Sequence, residues 1–280
     1  MNYIQPKNLD EAVGLLKTDS WSIIAGGTDF YPGMLERTPA SHVMDLHALD
    51  ELRDIRREEG QVRIGAAVTW SDVMSADLPP AFDALKLAAR EVGSVQIQNR
   101  ATVVGNLCNA SPAADGVPAL LVLDAQVELV SATGTRQIPL QQFILGNRLT
   151  ARQSDEIVTA IVVPDGSTRG QSTFLKLGAR KYLIISISMV AARLASDENR
   201  IITEAAVSVG SCSLVACRLS ELEAALKGQA LNANIASLAS ADKLACLSPI
   251  DDVRSSKQYR MDASLELVKR VLVNLGGAAA

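Results

Sequence analysis

The residues best suited to chemistry lie in one stretch, between Thr102 and Gly116, with the sequence TVVGNLCNASPAADG. Small and polar residues dominate it, so several backbone N–H groups can approach an anion without a bulky side chain in between. Asp115, near its end, supplies a carboxylate that can accept hydrogen bonds from sugar hydroxyls. The stretch therefore predicts a binding loop for a phosphorylated ligand; the alternative is a packed turn that binds nothing.

A second candidate for phosphate binding is the turn formed by Ala25, Gly26, Gly27, Thr28 and Asp29. A buried strand, residues 21–25, leads into this turn, and a helix is predicted behind it, from Phe30 to Leu35. A strand, a glycine pair and a helix capped by Thr or Asp offer a phosphate free N–H groups and the positive end of the helix dipole. Two such segments in one chain suit a pyrophosphate.

Apolar periodicity and capping residues predict the elements that must position these two segments. The first fifty-odd residues predict a small α/β unit with parallel strands. The run 157–163, which contains Ile161, alternates too little for an exposed strand and should be central in a sheet. The other predictions are a helix from the Asn8 cap to about Lys17, a strand at 42–46, a hairpin of 52–57 with 62–66, a helix from Trp70 with Thr69 as cap, helices at 80–92 and 118–123, strands at 127–130, 174–177, 184–194 and 201–209, and a helix at 262–275.

Composition limits the class of protein. A length of 280 residues suggests two domains of about 150 residues each, and no apolar run approaches the ~20 residues that cross a bilayer. The net charge of −4, with both signs interspersed, argues against a nucleic-acid groove. No secretory signal precedes the first strand, so a cytoplasmic location is expected. The four cysteines include no C-x-x-C pair, which argues against a metal or iron–sulfur site in this chain.

Taken together, Ala25–Asp29, Ile97–Asn106 and Ala110–Asp115 resemble the FAD-binding subunit of the molybdenum hydroxylases, a family that includes carbon monoxide dehydrogenase and xanthine dehydrogenase. The likeness covers nearly the whole chain and continues through Leu123–Ala125, Glu156–Pro164, Phe174–Lys176, Gly178–Lys181 and Tyr259–Arg260. It implies an α+β fold: a two-part FAD-binding domain of the vanillyl-alcohol-oxidase/PCMH type over residues 1–170, then a small flavoprotein C-terminal domain over 171–280. The first domain would comprise an α/β lobe (1–55) and a larger mixed sheet with helices (56–170). The second would be a three-stranded antiparallel sheet with helices.

The resemblance also implies the residues that bind FAD: Ala25, Gly26, Gly27, Thr28, Asp29, Thr102, Val104, Gly105, Asn106, Asp115, Ile161 and Lys176. For Lys176, a solvated residue at a strand edge is the alternative. The chain departs from the family pattern, with Gln98 for an arginine and Ala101 and Val104 for glycines. If the family's glycine at position 104 needs a positive φ, a β-branched residue is costly there, and the loop must differ.

Three functions follow as hypotheses. The first is an electron-transfer flavoprotein subunit of a dimer of heterotrimers, receiving electrons from a small subunit with two-iron two-sulfur clusters and a large molybdopterin subunit. The second is a self-sufficient flavin oxidase or dehydrogenase of the vanillyl-alcohol-oxidase type. The third is a binding or assembly subunit that has lost its flavin, suggested by Ala101 and Val104.

Overall fold

The N-terminal lobe is a three-stranded parallel sheet in the order β1-β3-β2. The computed structural model describes residues 2–34, 42–58 and 60–277. Asn8 caps the first helix as predicted, because its side chain accepts a hydrogen bond from the Glu11 N–H at 2.9 Å. Leu35, the predicted end of the next helix, lies outside the described residues. The elements of this lobe are β1 (Asn2–Ile4), α1 (Leu9–Leu15), β2 (Ser22–Ile24), α2 (Phe30–Gly33) and β3 (His42–Asp45).

The second lobe is built on a five-stranded sheet in the order β4-β5-β10-β6-β7. Every neighbouring pair is antiparallel, so the expected mixed sheet is wrong; two hairpins supply four of its strands, and hairpins impose antiparallel pairing. The prediction of a central strand at 157–163 is confirmed, since all its residues are buried. The strands of this sheet are β4 (Ile55–Glu58), β5 (Gln61–Gly65), β6 (Gln126–Ser131), β7 (Gly134–Pro139) and β10 (Ile157–Pro164). A separate two-stranded sheet is formed by β8 (Ile144–Gly146) and β9 (Leu149–Thr150).

In this lobe, the stretch that was predicted to be a binding loop is partly helical, so the prediction of a loop is wrong in part. Residues 103–109 form a helix, with Thr102 as its N-cap and the apolar side chains of Val103, Val104 and Leu107 buried. Its last turn ends at Ala110, which adopts a left-handed conformation with φ 48°. The helices are α3 (Trp70–Ser75), α4 (Asp83–Glu91), α5 (Val95–Gln98), α6 (Val103–Asn109), α7 (Gly116–Leu121) and α8 (Leu140–Phe143).

The C-terminal part is a four-stranded antiparallel sheet in the order β11-β12-β13-β14, not the expected three-stranded one. The additional strand has two residues and carries no apolar alternation from which a strand could be predicted. The longest helix begins five residues before the predicted start. The elements are β11 (Gln171–Leu177), β12 (Ser188–Ser196), β13 (Ile202–Gly210), β14 (Cys217–Arg218), α9 (Ser220–Leu226) and α10 (Lys257–Gly277).

Two arginines tie the C-terminal sheet to α7. Arg193 donates from Nε to the Val122 carbonyl at 2.8 Å, and Arg218 donates from Nη1 to the Leu121 carbonyl at 2.9 Å. Both also contact Asp124, so the helix that follows Asp115 is fixed against β12 and β14. No helix among the described residues is long and apolar enough to span a membrane.

Candidate functional site

The glycine turn between β2 and α2 presents a row of backbone donors. The N–H groups of Gly26, Gly27, Thr28 and Asp29 donate to no acceptor among the described residues. Gly27 has φ +70°, a conformation that side chains resist. A Cβ at Gly26 would collide with the backbone carbonyl of Arg100, so the turn lies directly against the segment that precedes α6. The turn is therefore a cradle that only glycine permits.

The start of α6 offers fewer free amides than the sequence suggests. The Gly105 N–H donates to Thr102 Oγ1 at 2.9 Å, the Asn106 N–H to the Thr102 carbonyl at 3.1 Å, and the Val103 N–H to the Val68 carbonyl at 3.1 Å. Since the Thr102 oxygen only accepts in this cap, its O–H stays available to donate to a ligand. Val104 sits in the helix without a positive φ, so no backbone strain arises from its branched side chain.

One cleft of about 860 Å³ lies between these two segments. It is large enough for a cofactor. Nine of the twelve residues implied by the resemblance line it: Ala25, Gly26, Gly27, Thr28, Asp29, Thr102, Val104, Gly105 and Asn106. The structure thus brings together two segments that are more than seventy positions apart in the chain.

Two buried polar atoms in the cleft lining have no partner among the described residues: Asn106 Oδ1, an acceptor, and Trp70 Nε1, a donor. Buried polar atoms are normally hydrogen-bonded, so each of these two exceptions needs an explanation, such as a ligand or a water. The apolar part of the lining includes Ile24, Leu46 and Val158. Backbone donors, unpartnered polar atoms and an apolar wall are what a flavin dinucleotide needs, so the residues present fit FAD.

Asp115 and Lys176 form a buried ion pair beside the cleft, and neither is among the residues that line it. Lys176 Nζ lies 2.7 Å from Asp115 Oδ2, and Ser186 donates from Oγ to Asp115 Oδ1 at 2.6 Å. The Lys176 side chain is only 6% exposed, which excludes the solvated edge residue. Burial raises the pKa of Asp115, while the Lys176 ammonium acts in the opposite direction.

Ile161 does not reach the cleft. It lies in β10 with no exposed surface, paired with Ile64 on one side and Val127 on the other. This position does not support the expected contact with the flavin, because the side chain belongs to the core of the second lobe.

Two arginines of the lining, Arg148 and Arg152, were not predicted from the sequence, and Cys108 and Asn109 were included only as members of the predicted binding loop. Arg148 occupies the turn between β8 and β9, and donates from Nη1 to Asp29 at 3.2 Å and to Asn109 at 2.9 Å. No local pattern marks it, because its partners lie 119 and 39 positions earlier in the chain. Only the fold brings this arginine-bearing turn to the cleft.

Comparison with known proteins agrees with this site. Residues 1–166 match a family model described as the FAD binding domain in molybdopterin dehydrogenase, and residues 173–275 match the CO dehydrogenase flavoprotein C-terminal domain. The nicotinate dehydrogenase FAD-subunit of Eubacterium barkeri is 40% identical over 66% of this chain and 65% of its own length. The nicotine 6-hydroxylase medium subunit of Paenarthrobacter nicotinovorans is 30% identical over 99% of this chain and 97% of its own length.

Among solved structures, carbon monoxide dehydrogenase from Hydrogenophaga pseudoflava, a form that lacks the Mo-pyranopterin moiety of its cofactor, superposes with a TM-score of 0.87. That likeness has 28% sequence identity and covers 99% of this chain and 96% of the other. The two family models together cover residues 1–166 and 173–275, and all the residues that line the cleft lie within the first of them. The chain therefore belongs to the family of FAD-binding subunits of the molybdopterin dehydrogenases.

Proposed function

We propose that this chain is the FAD-carrying electron-transfer subunit of a heteromeric molybdenum hydroxylase. The observation that carries the proposal is the cleft, a space of cofactor size that is lined both by the glycine turn, whose N–H groups donate to no acceptor among the described residues, and by Thr102 and Asn106. Bound FAD would accept electrons from a partner's iron–sulfur clusters and pass them to an external acceptor. The relatives named above are subunits, which favours this role over a self-sufficient flavin oxidase.

The chain's own residues would hold the cofactor and shape its surroundings. The glycine turn would bind phosphate oxygens through its N–H groups, and the Thr102 hydroxyl would donate to the same dinucleotide. Asp115 and Lys176 would act from behind the lining, where burial fixes both side chains. The hypothesis of a subunit that has lost its flavin is less well supported, because the backbone of Val104 has no positive φ and Ala101 is part of the cleft lining.

The loop between β11 and β12, residues 178–187, is our candidate for the face that meets the iron–sulfur partner. Tyr182, Leu183 and Ile185 are each more than half exposed there. Arg180 braces the loop by donating to the carbonyls of Tyr182 and Leu183, so the apolar side chains are held outward. Apolar side chains clustered at a surface are typical of a protein interface. The loop also carries Ser186, which links it to Asp115.

Further parts of the proposal concern organisation. A seam near residue 170 is supported by the two family models, which end at 166 and begin at 173. We also propose the two-lobe arrangement of the vanillyl-alcohol-oxidase/PCMH type, a large molybdopterin partner and a small iron–sulfur partner, and a dimer of heterotrimers. A cytoplasmic location is supported by the four thiols, all of which are unpaired in the structure.

The test is expression of the chain alone and together with a molybdopterin subunit and an iron–sulfur subunit encoded beside it. The chain alone should purify with flavin absorbance, and substrate should bleach that absorbance only in the complex. Bleaching of the isolated chain by an organic substrate would instead support a self-sufficient flavoenzyme. A chain that purifies colourless and binds no added FAD would contradict the proposal.

A further inference from the structure

Arg148 holds an unusual position for a surface arginine. It lies in the turn between β8 and β9 with φ +55°, in the left-handed region that non-glycine residues avoid. Its N–H donates to the carbonyl of Ala110 at 3.0 Å, and Ala110 itself is left-handed at the end of α6. Two adjoining left-handed residues thus fix this turn against the end of the helix that lines the cleft.

The side chain of Arg148 joins both walls of the cleft. Its Nη1 atom lies 3.2 Å from Asp29 Oδ2, in the glycine turn, and 2.9 Å from Asn109 Oδ1, on α6. Its Nε and Nη2 groups donate to no acceptor among the described residues, since both side-chain hydrogen bonds use Nη1, so further guanidinium donors are available for a ligand. Arg152 lies in the same lining, and its Nη1 is occupied by the carbonyls of Gln153 and Glu156.

Stability does not account for this arrangement. The Arg148 and Asp29 side chains are 46% and 53% exposed, and exposed ion pairs contribute little to folding. A residue that is held in a disfavoured backbone conformation, although its ion pair adds little to the stability of the fold, is a candidate for a functional role. The charge of Asp29 points to that role, because a carboxylate in a phosphate-binding turn repels a phosphate unless a cation neutralises it.

We infer that Arg148 is an anion clamp for the dinucleotide: it neutralises Asp29 and directs its remaining N–H groups at the pyrophosphate in the cleft. This inference rests on the proposed function, since it takes FAD as the occupant. Arginine suits the role because its planar, permanently charged guanidinium presents several donors in a fixed fork and can contact a carboxylate and a phosphate at once. Lysine would supply the charge without the fork.

The decisive variant is Arg148→Gly, which removes the guanidinium and relaxes the backbone of the turn. We expect the FAD dissociation constant of the full-length apo chain, measured by quenching of flavin fluorescence, to rise roughly tenfold or more, the usual effect of losing a charged hydrogen-bond donor. Arg148→Lys should fall between that variant and the wild type. Added salt should weaken FAD binding by the wild type more than binding by Arg148→Gly, because salt screens the lost attraction.

Two further variants separate the clamp from a merely structural role. Asp29→Asn should restore part of the affinity in the Arg148→Gly background, because the unneutralised carboxylate that repels phosphate is then removed. Arg200→Gly is the matched control: Arg200 is another arginine with a positive φ, 60°, and lies outside the cleft lining. It should bind FAD as the wild type does.

The outcomes distinguish this inference from the function on which it rests. An Arg148→Gly chain that binds FAD with wild-type affinity and salt dependence would overturn the clamp alone. So would an Asp29→Asn substitution that lowers affinity equally in both backgrounds. A wild-type chain with no affinity for FAD would overturn the clamp and the proposed function together.

Discussion

Gly27 is the residue of the first turn that tolerates the least change. Its φ of +70° excludes a branched side chain, and a Cβ there would lie 2.7 Å from the ring of Tyr31. We expect Gly27→Val to abolish FAD retention, as measured by the ratio of flavin to protein absorbance after purification. Gly14→Ala, where a Cβ meets nothing within 4 Å, should keep its flavin. Full flavin content in Gly27→Val would remove this turn from the site.

Asp115 contributes to the stability of the fold, in addition to its predicted contribution to FAD binding. Removing its carboxylate would leave the Lys176 ammonium buried without a charged partner, with the Glu91 carbonyl at 3.4 Å as its remaining acceptor among the described residues. Breaking a buried ion pair in this way typically costs about 3–5 kcal/mol of unfolding free energy. We therefore expect Asp115→Ala to be strongly destabilised in chemical denaturation. Replacing both charges, as in Asp115→Leu with Lys176→Met, should recover most of that loss.

The same double variant also tests the predicted contribution of Asp115 and Lys176, as a pair, to FAD binding in a chain that still folds. We expect its affinity for FAD to fall by roughly 1.5–3 kcal/mol, the range for a charged hydrogen-bond partner. Wild-type affinity in that variant would leave both residues with a structural role alone.

Asp252 makes the stability of the C-terminal part sensitive to acid. Hydrogen bonds from Arg254, and also from Arg260, hold the pKa of this carboxyl well below its usual range. Because the folded-state pKa is depressed, the stabilisation is complete above the ordinary value of about 4 and is lost as pH falls towards the lower one. Urea unfolding should therefore show a loss of stability below about pH 4, and a smaller loss in Asp252→Asn. Equal acid dependence in the two chains would contradict this assignment.

The cap of α6 is the element on which one wall of the cleft depends. The Thr102 side chain accepts from the Gly105 N–H, and Thr102→Val leaves that donor without a partner. We expect a loss of about 1 kcal/mol in unfolding free energy, with weaker FAD binding, whereas Thr102→Ser should behave as the wild type does. Denaturation curves that coincide for all three chains would contradict the role of this cap.

Thr102 also illustrates how much of the secondary structure can be predicted from local sequence patterns. The caps Asn8 and Thr69 and the buried run of β10 are visible in local patterns, and the structure confirms all three. The stretch after Thr102 has a cap too, but its Gly, Asn and Ser residues are equally typical of loops. What makes it a helix is burial of Val103 and Leu107 in the core of the second lobe, a tertiary contact that a local pattern does not contain.

A residue of the candidate site could be predicted from the sequence where its residue type alone indicates a role. It could not be predicted where its role depends on a tertiary contact. Gly26 and Gly27 announce a turn through their residue type alone. Arg148 looks like any surface arginine until the fold brings its turn to Asp29. Ile161 shows the opposite case. Its apolar side chain suits the wall of a cofactor site, but its position in the middle of a covered sheet keeps the side chain away from the cleft.

Assembly is a property of the whole molecule, and the loop at residues 178–187 is where we expect to disturb it. Replacing its exposed apolar residues by Tyr182→Ser, Leu183→Asn and Ile185→Ser should leave folding and FAD content intact. Asparagine suits position 183 because Leu183 has φ +54°. Co-purification with the iron–sulfur partner should fall sharply.

The matched control for this loop replaces two other exposed apolar residues, by Ile250→Ser and Val253→Ser. This control should co-purify as the wild type does. Equal recovery of the partner with both chains would place the interface elsewhere.

The position of β10 determines when the FAD-binding half of the protein can be completed during synthesis. The hairpins β4-β5 and β6-β7 emerge from the ribosome first, but they do not pair with each other; β10 lies between them and is made last. Until Pro164 has emerged, each hairpin has an unpaired edge of the kind that invites association with other chains. Val158, a residue of the cleft wall, arrives on that same strand. Closure of the sheet and readiness for the cofactor therefore coincide, in a single late step in the synthesis of this half of the chain.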